Sequence, residues 1–110
     1  MSLLTYLREA PKAELHVHLE GSIRPQTVLE LARRNGVTLP ADDVAGLREW
    51  FRFRDFRHFI EVYVGCTKFL STADDYALMV KRCGEQQAAL NIKYTETVVT
   101  WALLPDHTDR

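Results

Sequence analysis

The sequence has few cysteines, and the two that it has are not arranged as a pair. Cys66 and Cys83 lie in separate stretches with helical periodicity and form no Cys-x-x-Cys motif. Cysteine-rich zinc sites and the disulfide frameworks of small secreted proteins both need more cysteines at closer spacing. We therefore expect two free, buried thiols in a protein from a reducing compartment.

The sequence also lacks a long apolar run and an excess of charge of either sign. No stretch is apolar over the length of a membrane span, and the first residues do not show the pattern of a secretory leader. Fourteen basic and fifteen acidic residues give a formal net charge of −1. Because this charge gives no general attraction to nucleic acid or anionic lipid, we predict a cytoplasmic protein that binds neither nucleic acid nor membranes.

The most informative stretch is residues 11–22, in which apolar and polar residues alternate. A period of two is typical of a β-strand with one apolar and one polar face, and Gly21-Ser22 indicates a turn after it. The pattern predicts a strand over about residues 13–19. Its apolar positions are Ala13, Leu15, Val17 and Leu19, and its polar positions are Glu14, His16, His18 and Glu20.

Two histidines on the same side of one strand can bind a single divalent metal ion. His16 and His18 are two strand positions apart, and imidazole is a common ligand of zinc. The alternative for a bare His-x-His is a pair of hydrogen-bonded core histidines. The position of both residues at the end of the strand, directly before a Gly-Ser turn, favours a metal site.

The rest of the chain predicts helices followed by a second strand. Pro25 and Gly36 are typical of the first and the last position of a helix. Further helices are predicted within residues 42–91, one of them starting at a capping box of Thr72 and Asp75. Residues 92–100 are β-rich. Two strands separated by helices imply a parallel pair with a right-handed crossover, and therefore an α/β fold.

Residues 11–22 resemble the opening of the adenosine deaminase family, together with Arg24-Pro25 and the sequence Leu-Ala-Arg-Arg-Asn-Gly at residues 31–36. A weaker resemblance continues to residues 94–96. The resemblance implies the N-terminal part of a metal-dependent TIM (β/α)8 barrel of the amidohydrolase superfamily, with helices inserted between strands 1 and 2. A whole barrel needs about 250 residues. We therefore expect the remainder of the barrel to be absent from these 110 residues.

The resemblance assigns roles to individual residues. It implies that His16 and His18 are zinc ligands and that Glu20, two positions further on, contacts the ribose of a substrate. Gly21 would let the backbone approach that substrate. The alternative for Glu20 is a salt bridge with Arg24. Phe56, Phe59 and Ile60 could include residues that pack on a purine or a ribose, although helix-helix core is the interpretation we favour for most of these residues.

The implied reaction is zinc-dependent hydrolytic deamination of a purine nucleoside, adenosine giving inosine and ammonia. In the family, the remaining ligands and the proton donor come from a His-Ala-Gly-Glu stretch, a later histidine and a Thr-Asp-Asp segment. None of these occurs in the chain. We therefore assign it no catalytic residue and expect it to be inactive by itself.

Two alternatives remain at this stage. One is a different His-x-His metallohydrolase, either another amidohydrolase or a phosphoesterase. The other is a non-catalytic barrel fragment that self-associates through exposed strand edges. The sequence also does not choose among adenosine, adenine and modified nucleosides as the substrate.

Overall fold

A computed structural model describes residues 1–99 and has an α/β architecture. Two strands, β1 and β2, form one parallel sheet, and most of the helical residues lie between them in sequence. A short 3₁₀ helix follows β1 directly. In chain order the elements are α1 (Leu3–Glu9), β1 (Lys12–His18), the 3₁₀ helix (Leu19–Ser22), α2 (Pro25–Asn35), α3 (Val44–Trp50), α4 (Phe56–Thr67), α5 (Ala73–Ala89) and β2 (Ile92–Val98). Residue 100, the end of the predicted second strand, lies outside the described residues.

Local side-chain chemistry sets the helix boundaries. The side chains of Asp43, Asp55 and Thr72 accept hydrogen bonds from backbone N–H groups in the first turns of α3, α4 and α5. The capping box of Thr72 and Asp75 is present as predicted. Helix α2 starts at Pro25 and ends at Gly36, whose φ of 63° lies in the left-handed region that glycine adopts without strain.

Strand β1 contains a bulge that the alternating sequence pattern does not predict. Glu14 pairs with Thr95 and Val17 with Thr97, so Leu15 and His16 together face the single residue Glu96. The extra residue interrupts the alternation, and Leu15 and His16 are both exposed. The prediction of a continuous apolar face is therefore wrong at Leu15, whose side chain is 66% exposed.

The apolar core lies among the helices and the 3₁₀ segment rather than on the sheet. Its buried members include both cysteines, which are free thiols as predicted, and burial raises the pKa of the Cys66 thiol to about 12. Complete burial of branched and thioether side chains is the main source of stability in a domain of this size. The core consists of Leu19, Ile23, Val28, Leu31, Leu47, Val62, Cys66, Phe69, Leu70, Met79 and Cys83.

A buried carboxylate joins the end of α2 to the start of α5. Asp75 is fully buried and accepts hydrogen bonds from the backbone N–H groups of Ser71 and Thr72. It also accepts from Asn35 Nδ2 at 2.9 Å and from Arg34 Nη1 at 3.2 Å. Burial alone would raise the pKa of Asp75, but the four hydrogen bonds outweigh it and hold this pKa below its ordinary value.

Both strands of the sheet are edge strands within the described part of the chain. Large apolar side chains lie exposed on them, with Leu15 at 66%, Tyr94 at 56% and Val98 at 42%. Helix α1 likewise exposes Leu3 and Leu4 and has no buried residue. Across residues 1–99, no helix combines the length and the apolarity that a membrane crossing requires.

Replacing Asp75 by asparagine is expected to destabilise the chain by about 3 kcal/mol, because an amide N–H₂ cannot accept the hydrogen bonds that this carboxylate accepts. The lowered pKa of Asp75 means that its contribution is present above the unfolded pKa of about 3.9 and is lost as the pH falls through the folded pKa. Urea unfolding followed by circular dichroism between pH 7 and pH 3 measures both effects.

The matched control is Asp74→Asn, since Asp74 is an exposed neighbour in the same first turn. This variant should unfold close to the unchanged chain. Equal stability of Asp75→Asn and the unchanged chain at pH 7 would contradict the role given to the buried carboxylate.

Candidate active site

The two histidines of β1 converge at the carboxyl end of the strand. His18 is the last residue of β1, and the bulge at Leu15 and His16 precedes it by one residue. The Nε2 atoms of His16 and His18 are 3.2 Å apart, and their ring centroids are 5.0 Å apart. Both side chains are exposed. Bulges often redirect a side chain beside a functional site, and this one leaves the two imidazoles facing each other.

The separation of the two nitrogens fits joint binding of one zinc ion. Two nitrogens at about 2.0–2.1 Å from a tetrahedral zinc ion lie about 3.3–3.4 Å from each other. The observed 3.2 Å between His16 and His18 is close to that value, and it is also the length of a hydrogen bond between the two rings, as in the alternative of a hydrogen-bonded pair. Among residues 1–99 no group of three potential ligands is found. Since catalytic zinc sites use three protein ligands, a zinc site here would need at least one ligand besides these two histidines.

A cavity of about 570 Å³ lies beside the histidines. His16, His18 and Gly21 line one part of it, while Phe59 and Tyr63 of α4 line another. Helix α5 contributes Gln87, whose amide donates to Glu14 of β1 at 2.8 Å. A concave, mainly apolar surface with a few polar groups is the usual form of a small-molecule site.

Glu20 is buried rather than directed into the cavity. Its side chain is 1% exposed, it is not among the cavity-lining residues, and the Tyr63 hydroxyl donates to its Oε2 at 3.4 Å. The pKa of Tyr76 is raised by burial and by the negative charge of Glu20, so this carboxylate also lies close enough to α5 to act on the Tyr76 phenol. The two predicted roles of Glu20, contact with a sugar and a salt bridge with Arg24, stay predictions.

Gly21 does line the cavity and is exposed. Its φ is not in the left-handed region, and a Cβ added there would meet the Tyr63 ring at 3.5 Å, an ordinary contact. Neither the backbone conformation nor a clash therefore requires glycine. The accessible backbone at this position leaves its predicted role, close approach of a substrate, open.

Helix α4 presents aromatic residues to the cavity and to solvent. The preference for helix-helix core is wrong for Phe56, Phe59 and Ile60, which are 76%, 36% and 40% exposed. The buried face of α4 instead carries Val62, Cys66 and Thr67. Because this helix has apolar residues on both faces, periodicity alone does not select the buried face.

Sequence reasoning also missed a contact of Tyr63, a residue of α4. Its ring lies edge-on to the His18 ring, with 6.1 Å between the centroids and 86° between the planes. The available signal was the spacing of four from Phe59, which places both rings on one side of the helix. Tyr63 therefore joins α4 to the end of β1.

Comparison with known proteins agrees with this arrangement. The adenosine deaminase family model matches residues 11–105. The chain belongs to the adenosine deaminase family. The family predicted from residues 11–22 is thus confirmed.

Adenosine deaminase family members with high similarity are named adenine deaminases. The protein of Albidiferax ferrireducens is 41% identical over 90 residues, which are 82% of this chain and 26% of that protein. The protein of Zymomonas mobilis is 40% identical over 75 residues, which are 68% of this chain and 22% of that protein. The chain thus spans about a quarter of the length of these relatives.

A solved structure supports the same relationship. The crystal structure of adenine deaminase from Arthrobacter aurescens superimposes with a TM-score of 0.74 and 36% sequence identity, covering 81% of this chain and 27% of that one. The matched part of this chain therefore has the same fold as the corresponding part of that adenine deaminase.

If the two imidazoles bind one ion, replacing either His16 or His18 by alanine should weaken zinc binding by roughly tenfold or more, which is about 1.4 kcal/mol or more. Isothermal titration of the purified chain with zinc measures this difference. His58→Ala is the matched control, because His58 is a histidine of α4 that lies outside the pair. Equal zinc affinity in the control and in both β1 variants would contradict a shared site.

Proposed function

We propose that the protein containing this segment is a zinc-dependent hydrolase that removes the amino group from C6 of a purine. The segment would form the N-terminal part of its TIM barrel and supply two zinc ligands. The observation that carries the proposal is the pair of Nε2 atoms, 3.2 Å apart at the carboxyl end of β1. TIM-barrel active sites are built at this end of the strands.

In this proposal His16 and His18 would hold the zinc ion through their Nε2 lone pairs. When bound, zinc supplies the Lewis acidity that makes a water molecule reactive near neutral pH. Ligation by Nε2 requires the ring proton to sit on Nδ1 of each imidazole. The remaining ligands and the proton donor would come from other parts of the barrel, as the family resemblance implies.

The apolar residues of α4 would bind the purine and exclude water. Phe59 and Ile60 line the cavity next to the histidines and are partly exposed, so they offer an apolar surface to a flat heteroaromatic ring. Aromatic pairs are favourable when their ring centroids are about 4.5–7 Å apart. The Phe59 and Tyr63 rings are 6.1 Å apart, which places both within one aromatic wall.

Free adenine is the best supported substrate. The relatives of Albidiferax ferrireducens and Zymomonas mobilis are named adenine deaminases. In addition, Glu20 is 1% exposed with the Tyr63 hydroxyl on its carboxylate, so contact with a ribose would require this pair to rearrange. Adenosine, the substrate that the family resemblance implies, is the second candidate, because Glu20 occupies the family's sugar-contact position.

A chimera tests the proposal directly. Residues 11–98 of this chain would replace the matching segment of the Arthrobacter aurescens adenine deaminase. We expect ammonia release from adenine at a rate within about tenfold of the parent enzyme, and at least about tenfold slower release from adenosine, a difference of about 1.4 kcal/mol in barrier. Faster ammonia release from adenosine than from adenine would favour adenosine as the substrate.

Controls separate the contribution of the segment from that of the host enzyme. Introducing His16→Ala into the chimera should abolish ammonia release, whereas His58→Ala should not. Residues 1–110 alone, supplied with zinc, should release no ammonia from either compound. A folded chimera that is inactive on both purines but hydrolyses a phosphoester would favour the alternative, a different His-x-His metallohydrolase.

A cytoplasmic location stays a prediction.

We also expect self-association of the isolated chain through its exposed strand edges and the apolar side chains on them. Sedimentation velocity should show a sedimentation coefficient that rises with protein concentration. Leu15→Lys, which places a charge at a 66% exposed strand position, should reduce that rise. A concentration-independent monomer would contradict this expectation and leave the deaminase proposal unaffected.

A further inference from the structure

We propose that Tyr63 is a positioning residue that holds the His18 imidazole in its ligand orientation. The proposal rests on the proposed metal site, since it concerns how one of the two ligands is held. The observation that suggests it is the edge-on contact of the two rings, with 6.1 Å between centroids and 86° between planes. A T-shaped arrangement at this distance is a favourable geometry for an aromatic pair.

The Tyr63 ring is itself fixed on several sides. Its hydroxyl donates to Glu20 Oε2 at 3.4 Å, and Glu20 is 1% exposed. The Phe59 ring lies 6.1 Å away at an angle of 32°. A half-buried ring with its hydroxyl bonded to a buried carboxylate and a second ring beside it has little freedom to rotate, so it can act as a wall.

His18 is exposed, so it lacks the surrounding packing that fixes the rotamer of a core residue. Its side chain is exposed at the end of β1, where surface side chains exchange rotamers rapidly. The spacing of 3.2 Å between the two Nε2 atoms persists only while the His18 ring keeps its present rotamer. Tyr63 restricts that rotation from the side of α4 and thereby lowers the conformational entropy that zinc binding would cost.

Tyr63→Leu removes the ring, whereas Tyr63→Phe keeps it and removes only the hydroxyl. The Leu variant should bind zinc about three- to tenfold more weakly than the unchanged chain, and the Phe variant should stay within about twofold. Rescue by the conservative Phe variant distinguishes positioning by the ring from a loss that any change at this site would cause. Calorimetric titration of the purified chain with zinc measures these affinities.

Two matched controls accompany the pair. Phe56→Leu removes a ring from the same helix at a 76% exposed position, and Tyr94→Phe removes a hydroxyl that donates to Glu96 at 2.8 Å on β2. Both should bind zinc like the unchanged chain. Unfolding by urea checks that the Leu variant is folded. If it is not, Tyr63→Met, which lacks a ring but keeps an extended apolar side chain, takes its place.

A second readout needs no metal and therefore separates the two proposals. In zinc-free protein, nuclear Overhauser effects between the ring protons of His16 and His18 should be present in the unchanged chain and in Tyr63→Phe and lost in Tyr63→Leu. If the unchanged chain binds no zinc, the proposed metal site fails, but these effects still test the positioning. Unchanged nuclear Overhauser effects and unchanged zinc affinity in Tyr63→Leu would overturn the positioning role of Tyr63.

Discussion

The parallel pairing of β1 with β2 is the constraint on which the rest of the structure depends. Parallel strands cannot be joined by a tight turn, so the chain must return along the sheet before β2 can begin. The return contains helices α2 to α5, and these helices pack mainly on one another and on the 3₁₀ segment. The crossover therefore carries its own core, and the sheet is left with exposed apolar side chains.

As a result, the residues that stabilise the fold differ from the residues of the candidate site. The buried Asp75 and the core residues Leu31, Leu47 and Met79 lie in the helices, where burial and hydrogen bonding contribute most of the free energy of folding. His16 and His18 are exposed and contribute little to that core. A ligand site built from such residues can change by substitution without loss of the helical framework.

Sequence reasoning succeeded where the physical signal is local. The Thr72–Asp75 capping box and the Pro25 and Gly36 boundaries depend only on neighbouring backbone groups, so they could be predicted from short motifs. Strand periodicity also predicted that His16 and His18 lie on the same side of β1. The bulge at Leu15 and His16 could not be predicted, because it arises from pairing with a strand that begins only at Ile92. The links of Asp75 to Arg34 and Asn35 are equally non-local.

The contact of Tyr63 with His18 shows that a short sequence motif predicts only part of a site of this kind. In the proposed site the His-x-His pattern supplies two ligands, but their orientation would depend on how α4 docks against the end of β1. That docking includes a contact distant in sequence, the hydrogen bond of Tyr63 with Glu20. Since the ring of a surface histidine is free to rotate unless a neighbour restricts it, a residue that restricts the ring would be part of the proposed site even though it does not ligate the ion. A motif identifies candidate ligand residues, whereas the fold determines whether their side chains can bind the same ion.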